Sequence, residues 1–536
     1  MTRGPERRRK HWGWGFEDGQ LSGDELRALA PFVAEQLGFA ASGEVEEPVP
    51  VSEVALPAPR IAPPAALSPL CSVDAYARLS HARGKSTPDI LEGMRGRFPY
   101  APDVVARPAS EEDVEAVLEW AASAGAKVVP YGGGTSVCGG VEPRFEEPAI
   151  SLDLTALDRV LEVDPVSRAA RIQAGASGPR LEEQLSAHAM TLRFYPQSFE
   201  LATLGGWIAT RAGGHFATLW THIDDVVESV RAITPAGGVW ESRRLPGSGA
   251  GVSPDRMLLG SEGILGVITE AWVRVQPRPS ATHRLTVRFP RFADGAQAVR
   301  AIVQARLHPA NCRLIEAEEA RFTGAGDGST ALLVLAFESV DDGAVPPATD
   351  PDPAPAALAR ARQLAIAYGG TPDEPRVSGE GDDAAGSWRD TFLRAPYLRD
   401  SLLQLGVLAE TFETAITWDR FDAFVAAVGG SAREALGGAG LVTCRLTHAY
   451  QDGAAPYFTV LTPGRRGDEV EQWWAIKRAV SDAILAAGGT ITHHHAVGRD
   501  HRPWYQEQVP APYLSALSGA KAAVDPGGVL NPGVLL

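Results

Sequence analysis

Cysteine is scarce in this chain. Cys71, Cys138, Cys312 and Cys444 are the only four in 536 residues; they lie too far apart for a zinc pattern and are too few to staple a protein of this size, so a reducing cytoplasm is the expected setting. Positive charge is also short. The net charge of -16 leaves no basic face for a nucleic-acid backbone, and the one dense basic run, Arg7 to Lys10, suits at most an anionic membrane surface. No stretch approaches the about 18 uninterrupted apolar residues of a bilayer span, which leaves peripheral contact as the only expected kind of membrane association. The charged N-terminus runs into Trp12-Gly-Trp-Gly without the apolar core of an export signal, and Gly533-Val-Leu-Leu is not a peroxisomal address of the Ser-Lys-Leu type. What remains, 44% hydrophobic and 22% charged residues, is enough for two or three globular domains.

Residues 41 to 70 are rich in proline, alanine and glutamate and read as an extended connector within an N-terminal segment, 1–98. A first compact unit is expected over 99–280. Ser110 can cap a helix whose first turn is acidic and whose Val114, Val117 and Leu118 share a face, ending at Gly125. Lys127 to Pro130 follows as a short apolar strand running into a glycine run, an order that recurs in α/β cofactor domains. Further strands are expected at Ala149–Leu154, Ala169–Ala174, Val227–Thr234 and Gly266–Val275, with a helix at Pro179–Ala187. A second unit, 281–490, opens with a strand at Arg284–Phe289, a helix at Gly295–Ala305 and a strand at Thr330–Phe337. Between Asp341 and Trp388, Pro-Asp-rich and Gly-Asp-rich segments flank a short helix near Ala356–Ala367 and read as mobile insertions. Residues 491–536 close the chain.

Two features carry chemistry. The first is the run Pro130, Tyr131, Gly132, Gly133, Gly134, Thr135, Ser136, in which three glycines let successive backbone N–H groups turn onto an anion while the hydroxyls add donors. A diphosphate fits it. The motif is neither Gly-x-Gly-x-x-Gly nor a Walker loop, so a nicotinamide or nucleotide-hydrolysis reading fits poorly. It has companions: Gln197, Ser198, Phe199, Glu200, Leu201, Ala202 and Thr203, continuing to Thr210, Arg211, Ala212 and Gly213, and then Glu262, Gly263, Ile264, Leu265, Gly266, Val267 and Ile268, both rich in small residues that let backbone approach a flat ring. The second feature is His493, His494 and His495, three imidazoles in a row that titrate near neutral pH. The run is short and internal, unlike a purification tag. No metal is expected there, because adjacent histidines rarely point at one ion and no acid or cysteine sits at helical ligand spacing.

Together the three glycine-rich motifs resemble the flavin domain of the vanillyl-alcohol oxidase and p-cresol methylhydroxylase (PCMH) superfamily. The second half resembles alkyl-dihydroxyacetonephosphate synthase in Pro396-Tyr-Leu-Arg-Asp400, Leu408-Ala-Glu-Thr-Phe-Glu-Thr, Trp418-Asp-Arg, Cys444-Arg-Leu-Thr-His-Ala-Tyr, Gly453-Ala-Ala-Pro-Tyr-Phe and the triple histidine; Trp12-Gly-Trp-Gly and Asp525 to Val534 look like that family's ends. The resemblance covers almost the whole chain, least well at Ser42–Pro69 and Asp341–Trp388. It implies an α+β protein with a PCMH-type FAD-binding domain, a second α+β substrate or cap domain and a helical C-terminal part. FAD is expected to be held non-covalently, since Thr135 stands where histidyl-linked members often carry histidine. The resemblance places the active-site tyrosine on Tyr457, the histidine cluster on His493 to His495, an arginine near the flavin and substrate on Arg399, and a second substrate arginine on Arg313. Two departures stand out: Ala496 where the family usually has glycine, and Pro456 where an apolar side chain is usual. Proline there removes a donor and demands an edge strand or a bulge.

The implied activity exchanges the acyl chain of an acyl-dihydroxyacetone phosphate for a fatty alcohol, with no net redox change: a base takes a proton from C1, the flavin serves as electron sink, the carboxylate leaves and the alcohol adds. Expected partners are those two substrates and no nucleic acid, with a homodimer and a peripheral membrane contact left open. Trp12, Trp14 and Phe16 behind the basic run offer either such a contact or a packed N-terminal staple. The alternative enzyme is an FAD-dependent dehydrogenase or oxidase of a 2-hydroxy acid such as lactate or glycolate, in which the arginines hold a carboxylate and a histidine takes the hydroxyl proton.

Overall fold

The computed structural model describes residues 7–40, 44–216, 218–340, 352–379 and 397–536. The elements that position the site are α1 (Gly23–Leu37), β1 (Cys71–Ser72), α2 (Thr87–Met94), β2 (Val104–Ala106), α3 (Glu111–Ser123), β3 (Lys127–Tyr131), β4 (Ala149–Asp153), β5 (Val160–Asp164), β6 (Ala169–Gln173), α4 (Gly178–Ser186), α5 (Leu204–Thr210), β7 (Val227–Ile233), β8 (Val239–Glu241) and β9 (Val267–Arg274) in the first half. The second half supplies β10 (Pro279–Phe289), α6 (Phe292–Gln304), β11 (Asn311–Ile315), β12 (Ala331–Val340), α7 (Pro353–Ala367), β13 (Val407–Glu413), α8 (Phe421–Leu436), β14 (Leu441–Ala449), β15 (Gly453–Pro463), α9 (Glu469–Ala486), α10 (Arg502–Gln508) and α11 (Ala511–Val524).

The first half holds a four-stranded sheet, a five-stranded sheet and a two-stranded pairing of Met190–Thr191 with Gln276–Pro277. In the four-stranded sheet β1-β2-β4-β3 the strands β2, β4 and β3 run parallel, and antiparallel β1 comes from residues 71–72, within the segment expected to precede the first unit. Ser110 and Asp113 form the capping box that starts α3, and Val114, Val117 and Leu118 bury its inner face against this sheet. The antiparallel sheet β5-β6-β9-β7-β8 completes the half. The C-terminal part closes it: Val128 N–H donates to the Val529 carbonyl at 2.8 Å, Asn531 N–H donates back to Val128 at 2.9 Å, and the Asn531 amide donates to the carbonyls of Gly140 and Glu262.

The second half is built on a nine-stranded antiparallel sheet with β10-β12-β11-β14-β15-β13 in order, carrying short strands at its margins. The expected strand, helix and strand of 281–340 appear as β10, α6 and β12, with β11 as an additional strand between them. Of the insertions expected at Asp341–Trp388, residues 341–351 and 380–396 lie outside the described residues; the rest forms α7 and two short strands that pair with β10.

A strap of N-terminal residues joins the halves. Trp12 and Trp14 are buried with Ile90, Leu91 and Met94 of α2 and with Leu408 of β13, so the staple and not a surface contact is what this segment forms. Lys10 Nζ lies 3.1 Å from Asp400, which also accepts Trp14 N–H at 2.8 Å, and Arg9 donates to the Gly133 carbonyl at 3.0 Å. The Pro-rich connector is extended but not loose: Glu46 and Val49 N–H groups donate to Gln404 and Met94.

Candidate active site

β3 delivers its chain into the glycine run at the edge of a cavity of about 620 Å³. Gly133 has to be glycine, because a Cβ there would fall on the Leu201 carbonyl and lie 2.7 Å from Ala202 Cα, both backbone atoms; Gly134 turns at φ +64° beside the Tyr131 ring. Among the described residues, the N–H groups of Gly133 to Ser136 are spent on no protein acceptor. Thr203 caps α5 on the facing side. Pro130 to Ser136, Gln197, Ser198, Ala202, Thr203, Thr210, Ala212, Gly213, Glu262, Gly263, Gly266 and Ile268 line this end of the cavity. A cradle of unspent backbone donors between close-packed glycines is what a diphosphate-bearing cofactor requires, and FAD fits it.

Seven residues of the same motifs do not face the cavity. Leu201, Ile264, Leu265 and Val267 are core side chains, and Phe199 lies near Trp207, their ring centroids 6.4 Å apart. Glu200 accepts a hydrogen bond from Tyr397, and Arg211 pairs with Asp224 at 2.7 Å. For these seven, any contact with a cofactor would come from the backbone and not from the side chain.

The opposite wall comes from the large sheet. Register sets Arg445 of β14 directly across from Tyr457 of β15, and the guanidinium lies 3.8 Å from the centre of the phenol ring while pairing with Glu319. Pro456 sits opposite a register shift between Leu446 and His448, so the bulge that proline requires is formed by its neighbour β14. That bulge turns consecutive Thr447 and His448 onto the cavity, together with Arg313 from β11. Burial, with Arg445 second, pushes Arg313 down to about 9. Arg399 also lines the cavity, donating to the Lys85 carbonyl with its guanidinium 5.9 Å from the Trp14 ring.

Two carboxylates fix the histidine loop. Glu413, at the end of β13, accepts the backbone N–H groups of His493, His494 and His495 at 2.5, 2.9 and 2.8 Å as well as the Thr492 hydroxyl; Glu262 accepts those of Val497 and Gly498 at 2.8 Å. Burial pushes both carboxyls up to about 7 against the pull of these donors. Between them Ala496 adopts φ +73°, a left-handed conformation that accounts for the glycine of the family pattern. His494 and His495 line the cavity beside Tyr457, with ring centroids 6.2 and 5.9 Å from it. His493 does not. It lies one layer back, its Nδ1 2.9 Å from His494 Nδ1 and its Nε2 2.7 Å from Tyr450 Oη and 3.0 Å from His222 Nε2. Burial keeps these imidazoles neutral, His495 and His448 being pushed down to about 3 and His493 and His494 well below their ordinary value.

Sequence reasoning missed Arg445, His448, Tyr450, Glu413 and His222. The first three lie in the quoted Cys444 to Tyr450 motif and Glu413 in Leu408 to Thr414, but only strand register and the bulge bring Arg445 and His448 to the cavity wall while Tyr450 and Glu413 hold the histidine loop. A further arm of the cavity is apolar, lined by Leu21, Leu29, Phe32, Val33 and Leu37 of the α1 region and by Phe322, Leu398, Leu402, Leu405 and Leu461.

The chain matches the FAD binding domain over residues 102–243 and the C-terminal domain of FAD linked oxidases over 278–535. It is 30% identical to an alkyldihydroxyacetonephosphate synthase of Caenorhabditis elegans, over 85% of this chain and 80% of that one, and 29% identical to the Trypanosoma brucei brucei protein of the same name, over 87% and 78%. A solved structure of an alkyldihydroxyacetonephosphate synthase superposes with a TM-score of 0.80 at 24% identity over 98% of both chains. Similarity to the glycolate oxidase subunit GlcD of Bacillus subtilis is weaker, at 24% identity.

Proposed function

The chain belongs to the alkyldihydroxyacetonephosphate synthase family, and from that premise we propose that it replaces the acyl chain of an acyl-dihydroxyacetone phosphate with a fatty alcohol, making an ether-lipid precursor without net redox change. FAD is its cofactor, held without a covalent link at the Pro130 to Ser136 cradle; when bound it supplies an electron sink next to the carbon that changes partners. One observation carries the reading. The phosphate-binding cradle, the Tyr457, His494 and His495 cluster and an apolar arm are parts of a single cavity.

The chain's own groups divide the work as follows. His494 engages His493 and Glu413 through Nδ1, leaving Nε2 to take the C1 proton, and as a buried neutral imidazole it is in the accepting form. Tyr457 handles the proton of the departing carboxylate or the arriving alcohol. Arg313 and Arg399 hold the phosphate; for Arg313, a buried cation facing Arg445, an arriving dianion offsets the cost of burial. The fatty chain lies along the apolar arm, whose outer end at α1 exposes Phe32 (58%) and Leu398 (59%) and suits a peripheral lipid surface. Among the described residues no helix is long and apolar enough to cross a membrane. A short 2-hydroxy acid would leave that arm unused.

Incubation of the FAD-loaded protein with palmitoyl-dihydroxyacetone phosphate and labelled hexadecanol tests the proposal. Label in alkyl-dihydroxyacetone phosphate, with the flavin still oxidised, is the expected result; no transfer, with anaerobic bleaching of the flavin by lactate or glycolate, would replace it with the hydroxy-acid reading.

A further inference from the structure

Five imidazoles converge at the cavity wall, with His448, His494 and His495 lining it and His493 and His222 one layer back, because the β14 bulge adds His448, and the segment before β7 adds His222, to the run of three. Ring centroids of His448 lie 5.0 Å from His493 and 5.5 Å from His494, and those two are 5.2 Å apart. His448, His493 and His494 each present a ring nitrogen such that all three fall within 4.8 Å of one another. Zinc held at about 2.0–2.1 Å in a tetrahedral site separates its ligand nitrogens by about 3.4 Å. The His493 Nδ1 to His494 Nδ1 distance of 2.9 Å is about half an ångström shorter, so the two rings need only a small separation to reach it.

The outward nitrogens are held as ligand histidines are usually held. His448 Nε2 donates to the Gly214 carbonyl at 2.7 Å, and His493 Nε2 meets the Tyr450 hydroxyl at 2.7 Å, which leaves Nδ1 of each ring as the nitrogen to offer an ion. His448 Nδ1 meets the neighbouring Thr447 hydroxyl at 3.2 Å, a contact a cation would displace. Glu413 places a carboxylate oxygen 3.3 Å from His494 Nδ1, and it becomes a fourth ligand only by loosening its hold on the backbone N–H groups it accepts there. Adjacent histidines alone would not close around an ion; the third imidazole, contributed by a different strand, changes that.

We propose that His448, His493 and His494 form a binding site for a zinc-class divalent cation, and that filling it stops turnover by taking His494 out of proton transfer. The inhibition rests on the synthase reading. The binding does not.

The experiment uses FAD-loaded protein stripped with a chelator, titrated with Zn²⁺ by calorimetry and with Co²⁺ by its visible difference spectrum. The expected result is one ion per chain, with affinity weakened at least about tenfold in His448→Gln and largely kept in His448→Asp, which supplies an oxygen ligand; the flavin spectrum of each variant reports that it has folded. No saturable binding, or binding unchanged in His448→Gln, overturns the site. Ether-bond formation is then followed as Zn²⁺ is added and removed: a fall that the chelator reverses supports the inhibitory role, and stoichiometric binding with undiminished turnover overturns that role while leaving the site. A protein that binds Zn²⁺ through His448 yet forms no ether product in the metal-free state would count against the synthase reading alone.

Discussion

The two walls of the cavity are made from different material. The flavin-side wall is largely backbone, a continuous run from Pro130 to Ser136 in which the N–H groups of Gly133 to Ser136 meet no acceptor among the described residues. The cap-side wall is side chains, with Arg313, Arg445 and Tyr457 drawn from three strands and the histidines from a loop that two buried carboxylates fix. A backbone site depends on local composition and fails as a unit when one residue gains a Cβ. A side-chain site depends on register, and each member can be removed while the frame stands.

That contrast can be pressed, from the largest expected effect downward. Gly133→Val puts its side chain into the Leu201 and Ala202 backbone, and the expected result is colourless protein, with flavin affinity down by about a hundredfold or more; a yellow, active variant would erase the distinction between the walls. Tyr457→Phe keeps the frame and removes one hydroxyl, so the flavin spectrum should persist while turnover falls about a hundredfold or more, the size expected for losing a positioned proton-transfer group. Unchanged turnover would remove Tyr457 from the chemistry.

The strap that joins the walls should be acid-sensitive. His11 is buried, and burial pushes it down from 6.5 to about 4, with its ring nitrogen against the Val49 carbonyl at 3.1 Å. A depressed value means the neutral ring is favoured in the folded state. Its contribution, on the order of 3 kcal/mol, is therefore complete above about pH 6.5 and lost as the pH falls through about 4. Protease cleavage of the strap should rise over that window and do so less steeply in His11→Gln. The smallest effect is on the one backbone-limited point of the side-chain wall: Ala496→Gly, relieving φ +73°, should raise stability by about 1 kcal/mol in thermal unfolding, and a loss would mean the alanine methyl earns its place by packing.

What was legible in the sequence follows the same division. Helix α3 and strand β3 could be read because a capping box, an apolar periodicity and a glycine run are local signals, and the three cofactor motifs could be ordered along the chain. Within those motifs the inward and outward residues could not be separated: Leu201 and Ala202 are neighbours with opposite fates, one in the core and one on the cavity. On the cap side, the resemblance supplied Tyr457, Arg399 and the histidines. It supplied no place for His448, because simple strand alternation does not put it on the same wall as adjacent Thr447; only the register shift does. Glu413 was equally hidden, since a carboxylate that collects three backbone N–H groups looks in the sequence like any acid at a strand end.

The closing contacts around Val128 bear on when the cofactor can be captured during synthesis. The Asn531 amide that ties Gly140 to the Glu262 carbonyl lies 391 residues downstream of Gly140, and the strand feeding the glycine run is flanked by Val529 and Leu530. A nascent chain can therefore translate the whole glycine cradle long before it can finish it. Completion of the cradle therefore waits for residues 525–531 to be made and docked, and a chain truncated before residue 525 is expected to purify with little or no bound flavin even when FAD is supplied in excess.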